Sequence, residues 1–114
     1  MRKILPSLAA LSLVALLLFA STAGAQGKTT TVNIKDFAFH PSKITVAPGT
    51  KVKWVNKDKK AHTATSTQPH GAFDSGKLKQ GESYSFKFKH PGTYKYHCKI
   101  HPEMKGTVTV RRGG

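Results

Sequence analysis

Acidic residues are scarce in this chain. Five Asp and Glu stand against nineteen Lys and Arg among 114 residues, a formal charge of +14. Cysteine is scarcer still. A single Cys98 excludes an internal disulfide and leaves a free thiol, an intermolecular bridge or a metal ligand. From Thr29 onward no stretch repeats with the helical period, no repeats or low-complexity segments occur, and no second apolar run is long enough to span a membrane. The imbalance of charge bears on partners and association rates and not on fold. The lysines alternate along strand-like segments (Lys51, Lys53; Lys87, Lys89) and do not interleave with aromatic residues, which argues against a single-stranded nucleic-acid platform. Most of this charge reads as a solvated face. As a docking surface it suits an acidic protein or an anionic membrane surface.

The first residues read as an export leader. Arg2 and Lys3 precede an apolar run from Ile4 to Ala20, and Ala23-Gly24-Ala25 has the small-x-small form of a cleavage site. Residues 1–25 are therefore the expected signal peptide and 26–114 a single exported domain, expected in the periplasm as a monomer. The competing expectation, an uncleaved anchor, is weakened by Pro6, Ser7 and Ser12 within the run. A domain this small gains from a disulfide or a metal, and only the metal is open to it.

The remaining chain reads as seven or eight short strands. Val32 and Ile34 alternate with polar neighbours, a bend near Asp36 interrupts the parity, and Pro41 breaks the run. Ile44 and Val46 lead to Pro48-Gly49, which suits a type II turn. Val52 and Trp54 follow, then a polar loop from Asn56 to Lys60, a strand-like segment from Ala61 to Thr65, and a loop from Ser66 to Gly71. Tyr84, Phe86 and Phe88 alternate cleanly; Tyr94, Tyr96 and Cys98 share one parity; Thr107 to Val110 closes the fold. The pattern predicts an all-β Greek-key sandwich of mostly antiparallel strands, with Cys98 pointing inward where a strand gives way to a loop.

That loop carries the chemistry. Cys98, His101 and Met104 form a Cys-x-x-His-x-x-Met run, and thiolate, imidazole and thioether together make a soft donor set that favours copper over zinc or hard cations. A blue-copper site needs one more imidazole. The candidates are His40, His62, His70, His90 and His97. His97 has outward parity, His40 and His90 precede prolines at turns, and His70 lies in a loop. His62, at a strand edge, is favoured.

Trp54-Val55-Asn56, His62, Tyr84-Ser85-Phe86, Pro91-Gly92-Thr93-Tyr94 and the run from Tyr96 to Met104 resemble the small cupredoxins, in the amicyanin-like form with a short interval from His101 to Met104. The resemblance implies one copper ion held by His62, Cys98 and His101 in a plane with Met104 weak and axial. It also implies that Asn56 ties the His62 loop to the Cys98 loop, and that the His101 edge passes the electron. Lys99 and Ile100 depart from the hydroxyl residue and proline that such loops carry, which puts the expected hydrogen bond near the sulfur in question. A cation at Lys99 favours Cu(I) and so raises the expected potential.

The resulting expectation is an exported one-electron carrier that is not an enzyme. A copper-binding or copper-delivery protein is the alternative. Cys–His nucleophilic catalysis is disfavoured, since no orienting acid accompanies the pair and Met104 would be idle.

Overall fold

A computed structural model describes residues 28–113. Nine strands occur among them: β1 (Thr29–Lys35), β2 (Ala38–His40), β3 (Lys43–Val46), β4 (Thr50–Asn56), β5 (Thr65–Gln68), β6 (His70–Asp74), β7 (Ser83–Phe88), β8 (Gly92–His97) and β9 (Lys105–Val110). The leader expected over residues 1–25 lies outside the described residues. One sheet runs β2-β1-β4-β7 and the other β3-β9-β8-β5-β6. Pairings are antiparallel except β1 with β4 and β3 with β9. The fold is an all-β sandwich, as the alternation predicts.

Period-two alternation explains which faces meet. In β4, Thr50, Val52, Trp54 and Asn56 are buried while Lys51 and Lys53 are exposed. Val32, Ile34, Phe39 and Phe88 complete the inner face of that sheet, against Val46, Phe73, Tyr96, Val108 and Val110 from the other. Trp54 lies at the centre, stacked on Phe73 at 5.1 Å between centroids and meeting Tyr96 edge-on at 5.3 Å. Tyr96 opposes Gly106 across the β8–β9 pair, and a Cβ on that glycine would lie 2.2 Å from the tyrosine ring. The absent side chain is the space that the ring occupies. Ala47 to Thr50 forms the expected turn, with Gly49 at φ 93° and the Thr50 amide donating to the Ala47 carbonyl.

Three local expectations change. The segment read as a loop from Ser66 to Gly71 is most of the β5–β6 hairpin, whose buried Ser66 Oγ both donates to and accepts from the Phe73 backbone. The Ala61–Thr65 segment is not a continuous strand. His62 instead makes an isolated bridge, exchanging both backbone hydrogen bonds with Leu78 at 3.1 and 2.8 Å. The bend near Asp36 is a two-residue hairpin turn, Asp36-Phe37, between Lys35 and Ala38.

Candidate metal centre

The ends of β1, β4, β6 and β8 and the starts of β5, β7 and β9 gather at one pole of the sandwich. β8 delivers Cys98 there immediately after its last residue, His97, and the chain then turns back into β9. Backbone bonds close this loop: the Met104 amide donates to the His101 carbonyl at 2.9 Å, and the Cys98 amide to the Met104 carbonyl at 3.1 Å. Met104 is thereby brought back beside Cys98, and both side chains are buried.

Three of the four sequence-predicted ligands converge. His62 Nδ1 and His101 Nδ1 lie 3.2 Å apart, and Cys98 Sγ lies 3.8 and 3.7 Å from them. Among the described residues these form the one group of three His, Cys, Asp or Glu side chains with ligand atoms close enough to share an ion. His62 and Cys98 are fully buried, and His101 is partly exposed. His40, His70 and His90 are exposed and stand apart from the group.

His62 is fixed on both sides. Its backbone is bridged to Leu78, and its Nε2 meets Asp58 Oδ2 at 2.9 Å. With Nδ1 facing Cys98 and His101, Nε2 carries the proton and donates to the carboxylate, the usual way in which an outer carboxylate sets a ligand histidine's tautomer. Burial pushes the Asp58 carboxyl up, but the amides of Phe37 and Asp36 and the His62 bond outweigh it and hold it below its ordinary value.

Asn56 does not make the tie implied for it. Its side-chain amide donates to the carbonyls of Lys60 and Leu78 at 2.9 and 2.8 Å, and its Oδ1 accepts from the Asp58 amide. These bonds fold the Lys57–Ala61 loop onto the Leu78 segment. The join to the Cys98 loop is made by Thr63. Its amide donates to Cys98 Sγ at 3.3 Å, and its hydroxyl accepts from the Lys99 amide at 2.9 Å. The sulfur thus receives a hydrogen bond despite the substitutions at 99 and 100. Lys99 is not a free cation either, because its ammonium pairs with Asp74 at 2.8 Å.

Sequence reasoning missed Asp58, Thr63 and Phe37. Asp58 precedes His62 by four residues and Thr63 follows it directly, so both had a positional signal. Phe37 had none. Its ring meets His62 and His101 edge-on at 5.0 and 4.9 Å, although it lies 25 residues before the first of them. Phe37 and Ile100, 46% and 42% exposed, are the large apolar side chains left at the surface among the described residues, and both adjoin His101.

The comparisons with known proteins agree with this geometry. A family model described as Cupredoxin-like domain matches residues 8–110. Amicyanin-alpha of Methylorubrum extorquens is 33% identical over 85 residues, which cover 72% of this chain and 71% of that protein. Plastocyanin of Scenedesmus fuscus is 38% identical over 84 residues, covering 64% and 86%. An amicyanin variant solved in its oxidised state superposes with a TM-score of 0.67 at 29% identity, over 73% of this chain and 82% of that one. A copper-containing nitrite reductase from Thermus scotoductus gives a TM-score of 0.69 at 33% identity over 75% of this chain, which spans only 23% of the reductase. Sandwich topology, the His-Cys-His convergence and these matches together place the chain in the cupredoxin-like family.

Proposed function

We propose that His62, Cys98, His101 and Met104 hold one copper ion, and that the protein is an exported type 1 copper carrier of single electrons. The observation that carries this reading is the triangle of His62 Nδ1, Cys98 Sγ and His101 Nδ1. With edges of 3.2, 3.7 and 3.8 Å, these three atoms are close enough to share one ion, which they would hold together with Met104. Thiolate and two imidazoles, with a buried thioether on the loop that carries Cys98 and His101, select copper.

Copper at this site supplies a one-electron couple between Cu(I) and Cu(II). The chain supplies constancy. Buried His62 and Cys98 and the hydrogen-bonded loop from Cys98 to Met104 limit rearrangement between oxidation states. The Thr63 amide stabilises negative charge on the sulfur, and Asp58 fixes the His62 ring. His101, partly exposed, in contact with exposed Phe37 and preceded in the chain by exposed Ile100, is the exit for the electron. Amicyanins solved both as reduced Cu(I) and in the oxidised state support a site of this kind that serves both states.

Export to the periplasm by way of residues 1–25 follows from the leader pattern. Without Arg2 and Lys3 of the leader, the exported domain carries five acidic against seventeen basic residues, which suits an acidic redox partner or weak contact with an anionic membrane, encounters that salt slows. The deciding experiment is the visible spectrum of the mature protein with one equivalent of Cu(II), beside Cys98→Ser. An intense blue band lost in the variant is expected. A pale wild-type complex overturns the carrier reading in favour of copper handling.

A further inference from the structure

We infer that Asp58 is a positioning residue of this centre, which with one carboxylate orients His62 and seats Phe37 across both His62 and His101. The inference rests on the copper reading above and adds a residue to it. Three contacts meet on that carboxylate: Oδ1 accepts from the Asp36 amide at 2.7 Å, Oδ2 from the Phe37 amide at 2.9 Å, and Oδ2 also meets His62 Nε2 at 2.9 Å.

The turn explains why such a clamp is needed. Lys35 pairs with Ala38, so only Asp36 and Phe37 connect β1 to β2. Both are left-handed, at φ 53° and 57°. Two-residue hairpins of that form favour glycine or asparagine, and a bulky side chain rarely accepts the conformation. Successive amides in such a turn point to one side and form an anion-binding concavity. Asp58 fills it. The conformation that is awkward for phenylalanine is thus held by the same group that fixes the His62 tautomer. It directs the Phe37 ring edge-on to both imidazoles, at interplanar angles of 86° and 74°.

Two effects follow. Phe37 packs beside His101 and confines its ring. The anionic carboxylate on the far side of His62 makes that imidazole a stronger donor to the more positive Cu(II) state, which lowers the reduction potential.

The test uses Asp58→Ala and Asp58→Asn, the second retaining one acceptor oxygen and the side chain's shape. In the metal-free protein, NMR should show exchange of the Asp36 and Phe37 amides accelerated by about tenfold or more, the loss expected of a hydrogen bond to a charged group. Ring contacts between Phe37 and His101 should weaken while β4 amides stay protected. In the copper-loaded protein the potential should rise in both variants. Unchanged turn amides and ring contacts in the metal-free variants would overturn the inference. A loosened turn with an unmoved potential would reduce Asp58 to a hairpin clamp and overturn it equally. A wild type without the blue band is a failure of the copper reading instead, and the metal-free exchange still decides the clamp.

Discussion

Lys99 and Asp74 are joined twice. The Lys99 ammonium meets Asp74 Oδ2 at 2.8 Å, and the Lys99 amide reaches the same carboxylate through a relay. That amide donates to Thr63 Oγ1, the Thr63 and Thr65 hydroxyls bond at 2.9 Å, and Thr65 donates to Asp74 Oδ1 at 3.0 Å. Because Thr65 gives its proton to Asp74, it accepts from Thr63, and the relay runs one way around a closed ring.

The pairing changes what Lys99 does to the copper potential. A lone cation there would raise it, but Asp74 offsets most of that field. Lys99→Thr leaves the carboxylate alone and should lower the potential. Asp74→Asn leaves the ammonium alone and should raise it, and the double variant should return near wild type. Both ends are about half exposed, so each shift should shrink as ionic strength rises. Redox titrations at two salt concentrations check the signs, and like signs for the single variants would contradict the offset.

Thr63 holds the two ligand-bearing segments together. Thr63→Val keeps the amide that donates to Cys98 and removes the acceptor of the Lys99 amide. The expected cost is about 1–2 kcal/mol in urea unfolding of the metal-free protein, the range for leaving a partly buried donor unpaired. Copper release should also quicken, measured by loss of the blue band to a chelator.

Acid should weaken the fold through two carboxylates. The Lys99 bond and the Gly76 amide hold Asp74 below its ordinary 3.8, and Asp58 lies below 3.8 as well. A depressed carboxyl contributes fully above its unfolded value and loses that contribution as pH falls through its lower folded value. This part of the stability should therefore be level above about pH 4 and decline below it. Urea unfolding of metal-free protein between pH 5 and pH 2.5 should show the decline. A variant carrying both Asp58→Asn and Asp74→Asn should start lower and fall less.

Gly106→Ala should be among the most damaging small substitutions. The added methyl would lie 2.2 Å from the buried Tyr96 ring, which is itself packed on Trp54 and Phe39. A loss of about 3 kcal/mol or more is expected, at the upper end for overpacked cores, read from the shift in the urea midpoint.

Much of this is legible in the amino-acid sequence. Alternation through Val52 and Trp54 and through Tyr94, Tyr96 and Cys98 set strand faces, because a half-buried strand writes its burial into every second residue. The spacing of Cys98, His101 and Met104 was legible because a short loop keeps its ligands local. The β5–β6 hairpin was not, since Thr65 to Gln68 is polar throughout and Pro69 with Gly71 imitates a loop. Asp36-Phe37 was legible only as a bend, because a phenylalanine in the left-handed region contradicts turn preferences until its clamp is known. That clamp spans 21 and 22 residues, and only the β1–β4 pairing brings its ends together. Asn56 shows the same limit: its place beside the site was readable, and its hydrogen-bond partners were not.

The scarcity of acids has a consequence for encounters between two copies. Hydrogen bonds from amides leave the charges of Asp58 and Glu82 in place, while Lys99 neutralises Asp74, so once Arg2 and Lys3 leave with the leader four acids stand against sixteen basic residues outside that pair. Two copies carrying that excess of positive charge repel each other as they approach. Electron self-exchange in solution should thus be slow at low salt and accelerate as salt is added, opposite in sign to the reaction with an acidic partner. Line broadening in mixtures of the oxidised and reduced protein measures that rate. Such repulsion would keep the electron from wandering among identical carriers and direct it to partners of the other charge.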